Sequence, residues 1–173
     1  FIISKSPFLF RGTDRNSIKV ISSDQTGKGL FLYQTDSASY FSYTTFTDLS
    51  NFAYSEWELS GALTFYESNV FFNFCNFESN LAGDDYLNII RSDFELNECK
   101  FFECLFDGFD SDFSNGIIKN TSFVSCGNDG IDLSGSNVKL KNINLSYIGD
   151  KSISAGEKSH CKVSDIQIKD SII

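Results

Sequence analysis

The sequence contains no methionine and only one proline, one tryptophan and one histidine. Without Met no start codon is represented, so Phe1 is expected to follow an upstream segment. The last residues, Ser171-Ile172-Ile173, break off inside what reads as a further repeat, with no charged or amphipathic cap for the open sheet edge. The expectation is therefore a fragment of a longer protein. The lone His160 stands apart from the carboxylates discussed below, which argues against a Ser-His-Asp arrangement. Five cysteines include no Cys-x-x-Cys pair, which removes the usual zinc spacing. The 14 basic residues form no cluster and the formal charge is −9, so a nucleic-acid backbone and an anionic membrane are both poor partners. No apolar run approaches the roughly 18 residues of a membrane span, and no secretory signal is visible at the start.

What the chain has in quantity is phenylalanine, 19 residues, placed at a nearly fixed spacing. Leu63, Leu87, Phe109, Ile131 and Ile153 step by 24, 22, 22 and 22 residues. Phe77, Phe101, Phe123 and Leu145 keep the same steps, as do Phe72, Leu96, Ile118, Leu140 and Val163 to within one residue. Independent columns that share one period mean structural repeats, and a single repeat cannot bury its apolar face without its neighbours. Within a repeat the apolar residues alternate, as in Leu87-Asn88-Ile89 and Phe94-Glu95-Leu96, so the segments are strands. The fold expected is an all-β, right-handed parallel β-helix with about 22 residues per turn, its core made of stacked Phe, Leu, Ile, Val and Cys.

One domain is expected. Residues 1–50 form less regular first turns, with short strands separated by Arg11-Gly12-Thr13-Asp14 and Thr26-Gly27-Lys28-Gly29. Residues 51–173 form regular turns, except that Phe46 to Phe77 spans 31 residues and so carries an insertion, placed at Ser50 to Leu59. That insertion holds Tyr54 and Trp57, which could stack on a sugar ring or fold onto the coil's flank. The cysteines follow the repeat: Cys75 with Cys99, Cys104 with Cys126, and Cys161 in the place of Val138. They are expected to be small core hydrophobes.

Beside the apolar column runs a polar one, Thr64, Asn88, Asp110, Asp132 and Ser154, flanked by Tyr66, Ile90, Asp112, Ser134 and Gly156. Two residues before the apolar column lie Asp85, Asp107, Asp129 and Lys151. Five carboxylates, Asp107, Asp110, Asp112, Asp129 and Asp132, are thereby expected to project outward into one patch. Like charges about 5 Å apart cannot all ionise cheaply, so pKa values rise or a cation binds. An all-oxygen donor set of this kind favours Ca²⁺. The same spacing suits retaining glycoside hydrolysis, and Lys151 is the candidate base of a polysaccharide lyase. A purely structural reading stands beside these, because Asp, Asn and Ser at corners bond the backbone of the next turn, and Asp107-Gly108 and Asp129-Gly130 look like turn chemistry. Arg91 and Asn88 join Trp57 and Tyr54 as candidate ligand contacts.

Two resemblances extend this reading. Segments Leu59-Ser60-Gly61-Ala62-Leu63-Thr64-Phe65-Tyr66-Glu67-Ser68, Tyr86-Leu87-Asn88-Ile89-Ile90-Arg91-Ser92 and Asp129-Gly130-Ile131-Asp132-Leu133-Ser134-Gly135-Ser136 are similar to bacterial right-handed β-helix proteins whose coils accompany CotH-type kinase-like domains in exported proteins. That resemblance covers residues 55 to 173. It implies export, to the cell envelope or beyond, and covalently linked neighbouring domains. Asn128-Asp129-Gly130-Ile131-Asp132 and Gly149-Asp150-Lys151 more loosely resemble polygalacturonase coils, but Lys151 replaces a catalytic-type Asp, and the Gly-His-Gly and Arg-Ile-Lys elements are missing. The function expected is an exported or surface-associated module that binds carbohydrate or another polymer, or serves as a scaffold. The alternative is a lyase or glycoside hydrolase using Asp110, Asp132 and Lys151, with Ca²⁺ as its one candidate cofactor.

Overall fold

The computed structural model describes residues 1–171, which form a parallel β-solenoid. All twenty elements among these residues are strands, and none of the described residues forms a helix long and apolar enough to cross a membrane. Each full turn contributes one strand to a first sheet and two segments to a second. The first sheet stacks Ile2–Ser4, Leu30–Tyr33, Gly61–Tyr66, Asp85–Ile90, Asp107–Asp112, Ile131–Ser134 and Ile153–Gly156 in that order. The second begins as separate short strands such as Val70–Asn73 and Asn76–Glu78. Later it runs as long strands bent in the middle, Asn115–Cys126, Asn137–Ser146 and His160–Lys169.

The register follows the columns read from the sequence. Leu63, Leu87, Phe109, Ile131 and Ile153 are successive Cα partners, as are Phe77, Phe101 and Phe123. The rings of Phe46, Phe77, Phe101 and Phe123 stack at 5.5, 4.3 and 4.6 Å with interplanar angles of 14°, 9° and 9°. Each fully buried ring removes apolar surface worth about 2–3 kcal/mol, and offset stacking adds about 1 kcal/mol per pair. Not every Phe is inside: Phe74, Phe106 and Phe113 are exposed on corners.

Those corners share a backbone device. Glu67, Arg91, Phe113 and Gly135 occupy equivalent places after the first sheet, with φ of 48°, 49°, 50° and 63°. Two more such columns run through Phe74, Glu98, Asn120 and Asn142, and through Ser79, Glu103, Ser125 and Tyr147. A left-handed non-Gly residue costs about 1–2 kcal/mol. Here it turns the chain while its N–H still bonds the next turn, as Arg91 N does to Asp112 O at 2.9 Å and Phe113 N to Ser134 O at 2.8 Å. Asp107-Gly108 is therefore not a turn but the start of a strand. Gly108 is needed because a Cβ there would lie 2.9 Å from Gly130 O and 3.0 Å from Cys126 Sγ.

One corner is lined by buried serines at the same period. Ser92 Oγ accepts from Ser68 N at 2.8 Å, Ser114 Oγ from Ser92 N at 3.1 Å, and Ser136 Oγ from Ser114 N at 3.0 Å. Each hydroxyl donates back to a backbone carbonyl, as Ser114 does to Asp112 O at 2.9 Å. The serines thus satisfy backbone groups that the corner leaves without ladder partners. Cys75 and Cys99 do similar work at the next corner, where Thr44 and Thr121 hold the equivalent places: Cys99 Sγ donates to Asn97 O at 3.4 Å. All five cysteines are free thiols, four of them buried.

Between Ser50 and Ser60 the chain leaves the coil as an antiparallel hairpin, Ala53–Tyr54 paired with Trp57–Glu58, with Ser55 at φ 55° in its tip. Phe52 and Trp57 anchor it edge to face at 4.9 Å, and Trp57 meets Phe31 of the first sheet at 6.0 Å.

Candidate functional site

Alternation along the strands sends two columns to the outer face of the first sheet. One runs Ile3, Phe31, Thr64, Asn88, Asp110, Asp132, Ser154, and the other Tyr33, Tyr66, Ile90, Asp112, Ser134, Gly156. The face changes character along the coil. Its first turns are aromatic: Phe31 stacks on Tyr33 at 5.1 Å and 12°, and Lys5 Nζ lies 5.0 Å above the Tyr33 ring. Its middle turns are acidic, with Asp110 and Asp132 direct partners and Asp112 beside them.

The five carboxylates do not all project outward. Asp110, Asp112 and Asp132 are half-buried on the face, whereas Asp107 and Asp129 are buried where the chain enters the strand, as is Asp85 one turn earlier. Alternation itself puts them there, since Asp85, Asp107 and Asp129 stand two residues before the inward Leu87, Phe109 and Ile131. There Asp107 Oδ1 accepts from Asp129 N at 2.8 Å and Asn128 Nδ2 at 2.7 Å, and Asp129 Oδ1 accepts from Lys151 N at 2.8 Å. These two aspartates carry ladder bonds from turn to turn.

Asn88 is also enclosed, 2% exposed, so a ligand on the face cannot reach its amide directly. Its Nδ2 donates to Asp110 Oδ2 at 2.7 Å and Asp85 Oδ2 at 3.2 Å, with Asp112 Oδ2 at 3.4 Å, while its Oδ1 has no partner among the described residues. One amide thus serves three carboxylates, too few donors for the charge present. Burial, reinforced by the charges of Asp85, Asp112 and Asp132, pushes Asp110 up to about 9. Burial raises Asp85 to about 7 and Asp107 to about 6, and lifts Asp112 as well. At neutral pH Asp110 carries a proton and can donate a hydrogen bond.

Asp107, Asp129 and Asp132 offer carboxylate oxygens within 4.8 Å of one another, a donor set that suits a hard divalent cation such as Ca²⁺. Two of the three already accept backbone N–H groups. Lys151 is exposed, its ammonium bonded to Asp150 and 3.6 Å from Asp129 Oδ1. The bond to Asp150 raises its pKa, which keeps it protonated and ill-suited to act as a base. Arg91 lies on the rim of the acidic turns, pointed toward Tyr66 Oη at 3.2 Å and Glu67 at 3.9 Å. Tyr54 and Trp57 stand on the hairpin at the aromatic end, 75% and 45% exposed.

Phe31 and Tyr33 join Tyr66 at the aromatic end, and sequence reading passed over these two. Their signal was present: Tyr33 is the register partner of Tyr66, in the column that contains Asp112, and Phe31 and Tyr33 alternate around the inward Leu32.

No protein-family model matches this sequence, and no curated protein matches it. A solved structure of QnrB1, a plasmid-mediated fluoroquinolone resistance protein, aligns over 97% of this chain and 91% of its own at 10% identity, with a TM-score of 0.17. A likeness that weak carries no argument, and none of these comparisons bears on the resemblance to coils beside CotH-type domains.

Proposed function

We propose that this solenoid is a non-catalytic binding module that takes a neutral or amino-sugar polysaccharide across the outer face of its first sheet. The observation that carries the reading is the composition of that face: aromatic rings at one end and half-buried carboxyl groups at the other, along one continuous sheet surface. Seven stacked strands span roughly 29 Å at about 4.8 Å per step, the length of several sugar units. Aromatic rings at the Phe31, Tyr33, Trp57 end would stack on sugar faces. Asp110, Asp112 and Asp132 would pair with hydroxyl or ammonium groups, and an acidic face on a chain of formal charge −9 disfavours a polyuronate. The exported, multi-domain setting implied by the motif resemblance fits such a role.

The test is affinity electrophoresis through gels containing xylan, chitosan or polygalacturonate. Retardation by xylan or chitosan, reduced by Trp57→Ala/Tyr33→Ala and by Asp110→Asn/Asp132→Asn, supports the reading. No retardation by either polymer overturns it. Release of reducing ends that is lost in Asp132→Asn would instead make the face an active site.

A further inference from the structure

The second sheet carries a groove of about 890 Å³ that crosses five turns. Its lining takes Phe71, Glu95, Ile117, Lys139 and Lys162 from the outward column and meets the strand at Phe94, Gly116, Val138 and Cys161 of the inward one. A Cβ on Gly116 would lie 2.4 Å from the Phe94 ring, which fills that place inside the coil and is only 4% exposed, so the apolar surface that the groove presents comes from Phe71 and Ile117. Ile117 is 37% exposed although it stands at the centre of a sheet.

The groove is polarised. At its earlier end Glu95 is neutralised by Lys119 at 2.7 Å, and the ring of Phe71 stacks on Tyr40 at 5.1 Å. At its later end Lys139, His160 and Lys162 are all exposed, and neither lysine has an acidic partner among the described residues. In a chain of formal charge −9, this is a local concentration of free cationic groups beside an apolar trough. The five turns span about 19 Å at about 4.8 Å per step, long and narrow rather than round. Pockets of a few hundred to about a thousand Å³, mostly apolar with a few placed polar groups, bind small ligands.

We propose that this groove binds a single-chain anionic amphiphile, a long-chain fatty acid, with its carboxylate held by Lys139 and Lys162 and its alkyl chain laid over Ile117 and Gly116 toward Phe71. This site is independent of the polysaccharide reading, which concerns the other sheet. The carboxylate gains two charge-assisted contacts at the basic end, and the chain covers apolar surface that water now meets.

The probe is dansyl-undecanoate, titrated into the whole chain and followed by fluorescence, then displaced with laurate, dodecanol or dodecyltrimethylammonium. Saturable one-to-one binding is expected, displaced by laurate at least tenfold more effectively than by the neutral or cationic analogue. Lys139→Glu/Lys162→Glu, on exposed side chains, should weaken it by tenfold or more, and so should Ile117→Glu. Val163→Glu, on the last turn and outside the groove, should leave it unchanged. Absence of saturable binding, equal displacement by all three analogues, or full binding in Lys139→Glu/Lys162→Glu with circular dichroism unaltered would each overturn the assignment.

Discussion

Replacing Asp110 by Asn removes a titrating group from the acidic turns without changing its shape, and the consequence for stability depends on pH in a definite direction. In the folded chain Asp110 keeps its proton up to about 9, against 3.8 ordinarily. Between those values the folded state binds a proton that the unfolded chain has released. The contribution of this group is therefore complete below pH 3.8 and is lost steadily as pH rises toward 9. Each pH unit in that window is worth about 1.4 kcal/mol. From about pH 5 to about pH 8 the wild type should lose up to about 4 kcal/mol relative to Asp110→Asn, or about 2 kcal/mol once solvent at the exposed edge of the carboxyl is allowed for. The carbonyl oxygen of the substituted side chain can still accept from Asn88 Nδ2, so the variant should match the wild type below about pH 4 and exceed it by a margin that widens from pH 5 to pH 8. Urea unfolding followed by far-ultraviolet circular dichroism, in buffers containing a chelator, measures the difference. Parallel stability profiles for the two proteins from pH 5 to pH 8 would refute the burial and mutual repulsion assigned to this cluster.

Two further expectations concern the frame of the coil. Ser114→Ala leaves the buried N–H of Ser92 without its 3.1 Å partner and removes a donor to Asp112 O, so it should cost about 1–3 kcal/mol in chemical denaturation, far more than Ser→Ala at an exposed position such as Ser164. Ellman's reagent should titrate only Cys161 in the folded protein and all five thiols in denaturant, because Cys75, Cys99, Cys104 and Cys126 are buried and burial holds the Cys99 thiol well above its usual range. Rapid reaction of two or more thiols without denaturant would contradict the packing.

The period was legible because inward positions of successive turns meet the same environment. Phe77, Phe101 and Phe123 lie over one another, and a Phe in one turn makes a flat ring the best neighbour in the next. The pairing of Asp110 with Asp132 and of Cys104 with Cys126 followed from the same spacing. The corners were harder to read. A period of two separates inside from outside only along an extended strand, and at a left-handed residue the count is broken. Asp107 and Asp129 lie beyond the corner but two residues before the inward Phe109 and Ile131, so their side chains share the enclosed side of the strand, and grouping them with the outward Asp110 overlooked that alternation. The serine column was visible in the spacing of Ser68, Ser92, Ser114 and Ser136, but an apolar search passes over hydroxyls. The groove could not be read in this way, because it follows the outward column Phe71, Glu95, Ile117, Lys139 and Lys162, whose residues share no chemistry that a search for a common pattern would find.

A repeat fold supplies its own internal comparison, since residues of one column occupy nearly the same backbone geometry. Where every middle turn uses the same residue, as at Ser68, Ser92, Ser114 and Ser136, the coil itself accounts for the choice: each hydroxyl answers a backbone group that would otherwise be orphaned. The outer column of the first sheet is different. Phe31, Thr64, Asn88, Asp110, Asp132 and Ser154 hold equivalent places with no common chemistry, so the sheet does not require carboxylates there. Asp110 in fact works against the fold at neutral pH, where its position costs free energy that Thr or Ser in the same column would not. The same reasoning applies on the second sheet, where Phe71, Glu95, Ile117, Lys139 and Lys162 follow one another in a single column. A coil that tolerates Glu95 and Lys139 has no structural need for an exposed isoleucine between them. The residues that the architecture leaves unexplained thus gather on two faces, the acidic turns and the groove, and those are the places where contact with other molecules accounts for the sequence.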